Sequence, residues 1–216
     1  MYSKLLCWVA LDRAIKLGIH RYDKARFAGW LRTRDQIREV ILQEGFNPKI
    51  GAFTQLIGGS ELDATALTIP LLGLLPATDE RVKSTITQIN EKLSANGLVY
   101  RYLTDDGLPG REATFGICSF WLVDNLALAG RIDEARTLFE RLTQYAGDLH
   151  LFSEQIEPES GEFLGNYPQG FTHLALIRSA FHIAKAEAMG AESVSHDPAD
   201  RTNQMEQSGR LPSATE

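Results

Sequence analysis

Cysteine is scarce, basic residues are outnumbered, and no uncharged run is long enough for a bilayer. Each absence removes a class of function. The two cysteines, Cys7 and Cys118, lie in strongly apolar segments without metal-ligand spacing, so both read as buried small hydrophobes. No His-x-x-x-His pair, cysteine cluster or acidic calcium loop occurs, and neither a metal nor a cofactor is expected. Lys and Arg number 22 against 28 Asp and Glu, for a net charge of −6. A nucleic acid or an anionic membrane would need clustered positive charge on one face, so neither is expected as a partner. There is no eighteen-residue uncharged stretch, and Lys4, Asp12 and Arg13 interrupt the segment where a secretory leader would need its apolar core. The chain therefore reads as cytoplasmic. The pair Gly58-Gly59 is a turn, since neither a strand nor a phosphate-binding Lys accompanies it.

What the chain does hold is helical periodicity. Hydrophobic residues are 44% and charged residues 23% of 216 positions, enough to bury a core as one domain or as part of a larger one. Apolar spacing predicts seven helices, over about residues 2–17, 26–45, 61–73, 79–95, 114–129, 131–146 and 169–187. Ser60, three residues before Asp63, resembles a capping box opening the third, with Asp63 part of that cap. Thr78 followed by Asp79 and Glu80 gives the fourth a cap and acids suited to its positive end. Gly45, Gly97, Gly130 and Gly147 fall at expected helix ends, where a left-handed backbone is readily provided by glycine.

The apolar faces fall into two kinds. Val82, Ile86, Ile89 and Leu93 form a single stripe, as do Ile132, Ala135, Leu138, Phe139 and Leu142. The third, fifth and seventh helices are instead apolar on almost every side, which predicts that they are covered all round. The inner-type helices begin near residues 2, 61, 114 and 169, a spacing of about 55 residues, and alternate with the striped ones in a helical-hairpin repeat. Such a repeat builds either a superhelical array or a closed ring with inner and outer shells. The connections into the inner helices, about 46–60, 97–113 and 147–168, are long and rich in Gly, aromatics, Arg and acids. Ordered loops of that length gathered on one rim favour a ring that carries a site. After Gly190 the composition is polar and without period, so 1–189 is expected to be the domain and 190–216 a disordered tail.

The richest of these connections runs from Leu151 to His173. In it Glu154, between Ser153 and Gln155, stands in an aromatic-bordered loop just before an apolar helix, where a catalytic carboxylate can sit. Glu157, Glu159 and Glu162 share the loop, so an ordinary solvated acid is the alternative. Glu112, after Gly110-Arg111, stands at the mouth of the fifth helix, where the positive helix end favours an anion. Arg111 and Glu112 can bind a sugar hydroxyl there, or Glu112 can be a simple helix-start acid. Arg101 between Tyr100 and Tyr102 suits a sugar rim, with Tyr faces against the ring and guanidinium donors to its hydroxyls; a surface strand fits equally. Trp8, Trp121, Phe115 and Phe120 read as core, and His173 as a satisfied buried histidine.

Several of these blocks together resemble one family. Ser3-Lys-Leu-Leu-Cys-Trp-Val-Ala-Leu-Asp-Arg-Ala, Leu62-Asp-Ala, Gly97-Leu-Val-Tyr-Arg-Tyr, Asp106-Gly-Leu-Pro-Gly-Arg-Glu and Cys118-Ser-Phe-Trp-Leu-Val-Asp follow one another in the order found in the C-terminal part of family 15 glycoside hydrolases. Ser153-Glu-Gln and Gly165-Asn-Tyr-Pro-Gln-Gly-Phe-Thr-His-Leu-Ala-Leu-Ile continue the series. The resemblance, to the glucoamylase and trehalase-like group, covers about residues 2–188. It implies an all-α (α/α)6 toroid and inverting hydrolysis of an α-glucoside or oligosaccharide by one carboxylic acid and one carboxylate base. It implies that Glu154 is the base and that Tyr167 and Gln169 line the pocket.

One departure limits the expectation. The family's acid lies in a Trp-Glu motif shortly before the helix that here begins at Met1, and no Trp-Glu pair occurs in the chain. About three helical hairpins of the ring are absent as well. The expectation is an incomplete toroid of about seven helices, inactive alone, since loss of the acid costs about 10²- to 10⁴-fold. Apolar flanks around Trp8 and Leu11 at one end and Phe181 at the other should face water, to be covered by the remaining part of the ring or by a second copy. The alternative is a non-enzymatic helical module that binds a protein partner through those faces.

Overall fold

Six of the seven stretches whose apolar residues recur at helical intervals are α-helical over most of their length, and the third is only partly so. The structure, a computed structural model, describes residues 1–18, 24–105, 107 and 113–189. Its α-helices are α1 (Tyr2–Gly18), α2 (Lys24–Glu44), α3 (Thr68–Leu72), α4 (Glu80–Lys92), α5 (Gly116–Leu128), α6 (Ile132–Gln144) and α7 (Gly170–Met189). The expected tail, 190–216, lies outside the described residues.

The third helix is shorter than its apolar pattern suggests. A 3-10 turn, Ala64–Leu67, leads into α3, and its cap is Asp63, whose carboxylate accepts from Thr65 N at 2.7 Å. Ser60 is not a capping residue, because its hydroxyl turns to the Glu61 carboxylate. Pro70 falls in the first turn of α3, where no amide donor is needed, and Gly73 closes the helix with φ 82°. Likewise Asp79, not Thr78, caps α4 by accepting from Arg81 N at 2.9 Å. Gly130 takes the left-handed conformation after α5, whereas Gly45 does not need it: a Cβ there would meet Ile41 O at 2.5 Å.

Short strands join the helices, a feature absent from the helical reading of the sequence. β1 (Phe46–Asn47) pairs with β2 (Ala52–Phe53), and β3 (Ser94–Ala95) with β4 (Leu98–Val99), both antiparallel. β5 (Thr114–Phe115), β6 (Gln155–Ile156) and β7 (Phe163–Leu164) form a three-stranded antiparallel sheet in that order. Its register sets Phe115 opposite Gln155, and Gln155 opposite Leu164.

Helices α1, α3, α5 and α7 form an inner row, and α2, α4 and α6 stand outside it. The largest helix contacts are α5 with α7, α1 with α2 and α5 with α6. Helix α5 is buried along nearly its whole length, and Phe120 meets Phe152 edge-on at 5.5 Å. The stripe Val82, Ile86, Ile89 and Leu93 is buried as its spacing predicts. Between α5 and α7 the fully buried Asp124 carboxylate accepts from Ser179 Oγ at 2.9 Å and Arg178 Nε at 2.8 Å, and lies 3.0 Å from His182 Nδ1. Among the described residues no helix is long and apolar enough to cross a membrane.

The end helices of the row meet the expected burial in part: the flank around Phe181 faces water as an incomplete ring requires, and the one around Trp8 does not. Helix α7 is not covered on all sides: Ala175, Ser179, Ile183 and Ala186 face inward, while Phe171, Leu174, Ile177 and Phe181 are 62–65% exposed. The other face is uncovered, since only α5 and α6 pack against α7 closely. At the other end Trp8 is buried, not bare, because it points back into the core with Leu5 and Ile41, and Leu11 is half-buried. Cys7, expected to be buried, is exposed on α1, whereas Cys118 is buried, and the two are not joined in a disulfide.

Candidate active site

The loops that enter the inner helices are stitched to one another. The main chain of Arg101 accepts from Ala64 N at 2.8 Å, Tyr100 bridges to Thr114, and Gly116 N donates to Glu154 O at 2.9 Å. The three loops thus meet along one rim, at the amino ends of the third, fifth and seventh helices.

Phe152, Ser153 and Glu154 thread between the amino ends of α5 and α7, and nearly every backbone group of this tripeptide is held. Gln169 N donates to Phe152 O at 2.8 Å, Thr172 Oγ1 to Ser153 O at 3.1 Å, and Glu154 N to Asn166 O at 2.8 Å. Phe152 N donates to His173 Nε2 at 3.3 Å, so the other ring nitrogen carries the proton and donates to Gln169 O at 2.7 Å. His173 is satisfied as expected, though half-buried. Gly116 makes the close approach possible: a Cβ there would lie 2.7 Å from Thr172 Cγ2.

The Glu154 side chain is half-buried. Its Oε2 accepts from Asn166 Nδ2 at 2.6 Å and from Asn166 N at 3.2 Å. Gly165, with φ 73°, lies against the carboxylate so tightly that a Cβ would sit 3.0 Å from both Oε2 and the Glu154 Cβ. The other acids of the loop are differently employed. Glu157 accepts from Ser160 N at 2.6 Å, Glu159 N at 2.8 Å and Ser160 Oγ at 3.0 Å, and the backbone donor of Ser160 foremost holds its carboxyl below the usual range. Glu159 and Glu162 are exposed.

The remaining candidates are dispersed along the rim. Tyr167 is half exposed, its ring 5.5 Å from Phe163 across the turn that leads from β7 into α7, and the Tyr167–Pro168 bond is cis. Gln169 turns its side chain to the α7 end, where Oε1 accepts from Phe171 N at 3.3 Å. Tyr100 is half-buried; burial, and then Glu157 and Glu159, raise its phenol above the ordinary range. The Arg101 guanidinium lies over the Tyr102 ring at 4.5 Å. Arg111 and Glu112 lie outside the described residues. Among the described residues no group of three or more His, Cys, Asp or Glu is placed to hold a metal ion.

Sequence reasoning missed Asn166 and Gly165, although the pair stands next to Tyr167 in the block that drew attention. What ties them to Glu154 is a chain reversal twelve residues later, which local spacing does not reveal.

Comparisons with known proteins agree with this geometry. The family model for glycosyl hydrolases family 15 matches residues 1–181. The chain is similar to the trehalase of Mycobacterium tuberculosis, 45% identical over 201 residues, which cover 92% of this chain and 29% of that protein. It is similar to the trehalase of Thermoplasma volcanium, 37% identical over 187 residues, 86% of this chain and 30% of that protein. It superposes on a bacterial glucoamylase complexed with acarbose with a TM-score of 0.71 at 15% identity, over 85% of this chain and 33% of that one. On a wild-type glycosidase the TM-score is 0.62 at 22% identity, over 73% of this chain and 45% of that one. The chain spans less than a third of the length of those two trehalases. Its two rows of helices are an arc of an (α/α)6 toroid.

Proposed function

The chain belongs to family 15 of the glycosyl hydrolases, and on that footing we propose that it is the base-carrying part of an inverting hydrolase of α-glucosidic bonds. Glu154 is the general base. In such a reaction a water oxygen bonds to the anomeric carbon while the glycosidic C–O bond breaks on the opposite face. The water proton passes to the Glu154 carboxylate, and the departing oxygen takes a proton from an acid. With no Trp-Glu pair in the sequence, that acid and the rest of the ring come from outside these 216 residues in our reading. The chain alone then hydrolyses nothing measurable.

The observation that carries the proposal is the fixed seat of Glu154. Its backbone is anchored between the amino ends of two inner helices, while the neighbouring acids are tied into a turn or bare to solvent. The substrate is an α-glucoside or short oligosaccharide, with trehalose favoured by the names of the curated relatives. Tyr100, Arg101, Arg111, Glu112, Tyr167 and Gln169 are proposed to form its rim, Gln169 also capping α7. Residues 1–189 are taken as the ring portion and 190–216 as a tail outside it. A cytoplasmic setting is proposed, which suits two cysteines not joined in a disulfide.

The partner for the open arc is the remaining part of the ring. A six-hairpin toroid holds six inner helices, and this chain supplies four, α1, α3, α5 and α7. A second copy would bring the total to eight, two too many.

The test is a hybrid in which this chain replaces the matching segment of the Mycobacterium tuberculosis trehalase, assayed for glucose release from trehalose. The wild-type hybrid should hydrolyse trehalose, and Glu154→Gln should lower kcat by about 10²- to 10⁴-fold. Equal rates for the two would remove the base assignment.

A further inference from the structure

We propose that Asn166 is a positioning residue for Glu154, selecting which carboxylate oxygen is left to take the water proton. The inference rests on the reading of Glu154 as base. Asn166 meets Oε2 twice, through its side-chain amide at 2.6 Å and its backbone N–H at 3.2 Å. The contact is reciprocal along the main chain, where Glu154 N donates to Asn166 O at 2.8 Å. Three hydrogen bonds therefore join two residues twelve apart, and rotation of the carboxylate would break two of them.

The consequence is an asymmetric carboxylate. Oε2 is engaged by two donors, and among the described residues Oε1 accepts no hydrogen bond. A base works only when the accepting oxygen stands within hydrogen-bond reach of the proton it takes, in the correct direction. A free carboxylate on a flexible side chain samples several rotamers and dilutes the productive one. The amide clamp removes that freedom on one oxygen and leaves the other without a protein donor among the described residues. Gly165 permits the arrangement, because any side chain there would press on Oε2 from the same side.

Asn166 need not touch substrate for this role, so its loss should appear in turnover rather than in substrate binding. A hydrogen bond to a charged group corresponds to about 10- to 100-fold in rate. In the trehalase hybrid, Asn166→Ala should lower kcat by about that factor with KM within about twofold. Asn166→Asp, of the same shape but with no donor and a like charge beside Glu154, should lower kcat further, and Asn166→Ser, which keeps a donor, should recover part of the loss. A loss in KM alone, or an unchanged kcat for Asn166→Ala, in a hybrid that Glu154→Gln inactivates would overturn the positioning role and leave the base intact. A hybrid that keeps its rate without Glu154 would overturn the base reading itself, and this inference with it.

A second measurement uses the 216-residue chain alone. In the 15N-labelled chain the Asn166 side-chain amide resonance should move when Glu154 becomes Gln, since a neutral acceptor replaces a charged one. An Asn166 amide resonance that stays in place would overturn the contact, whatever the kinetics.

Discussion

At the scale of single residues, the candidate site depends on backbone conformations that few side chains can adopt. Gly165 combines φ 73° with contact distances of 3.0 Å to Glu154. Gly165→Ala should cost about 1–2 kcal/mol from the left-handed backbone and displace the carboxylate besides. We expect a lower thermal unfolding midpoint for the chain and, in the trehalase hybrid, a lower kcat; an alanine variant matching wild type in both would show that the approach of Gly165 to Glu154 is loose. The loop position of Glu154, proposed as the base, could be singled out in the sequence because Ser153, Gln155 and the Gly-Asn-Tyr-Pro-Gln block surround it. Its contact with Asn166 could not be read there, since the chain must fold back over twelve residues to make it. Cys7 and Cys118 have similar apolar sequence surroundings, yet only Cys118 is buried, because one sits in a central helix and the other on an end helix.

Among the elements, periodicity told where helices lie better than how each begins. The stripe of α4 was readable to the residue, but its cap is Asp79 and not the Thr78 preceding it, a choice between two adjacent residues that backbone geometry decides. Asp79 is partly buried and held below its ordinary value near 3.8 by the Arg81 side chain foremost, opposed by desolvation. A depressed carboxyl contributes stability that is present above its unfolded value and is lost as pH falls through the lower folded value. Asp79→Ala should therefore cost about 0.5–2 kcal/mol near neutral pH, discounted for the exposed part of the pair, and the gap to wild type should close below about pH 4 in acid unfolding curves. An Asp79→Ala gap that persists undiminished into strong acid would assign the cost to something other than the ionised cap. The α5–α7 seam offers a larger effect. Removing Asp124 takes the shared buried acceptor from Ser179 and His182, while the 39% exposed Arg178 can turn to water, so Asp124→Ala should destabilise by about 1–3 kcal/mol in denaturant titration. Nothing in the linear pattern announced that seam, because residues more than fifty positions apart form it.

For the molecule as a whole, the apolar pattern of α7 pointed to cover on all sides and the incomplete ring to a bare flank at Phe181, and the structure shows that bare flank. Phe171, Leu174, Ile177 and Phe181 form one strip along the helix. Exposed strips of this kind mark surfaces made for contact. The isolated chain should bind a hydrophobic dye and grow in apparent size with concentration; Leu174→Lys combined with Ile177→Lys should reduce both, as read by dye fluorescence and light scattering. Dye binding that ignores those substitutions would place the sticky surface elsewhere. The three-stranded sheet that seats Glu154 closes within residues 114–164, and the bare strip begins just beyond it. Gly116 and Asn166, which hold the Glu154 main chain, both lie within this chain, so joining a separate remainder of the ring would leave that seat whole.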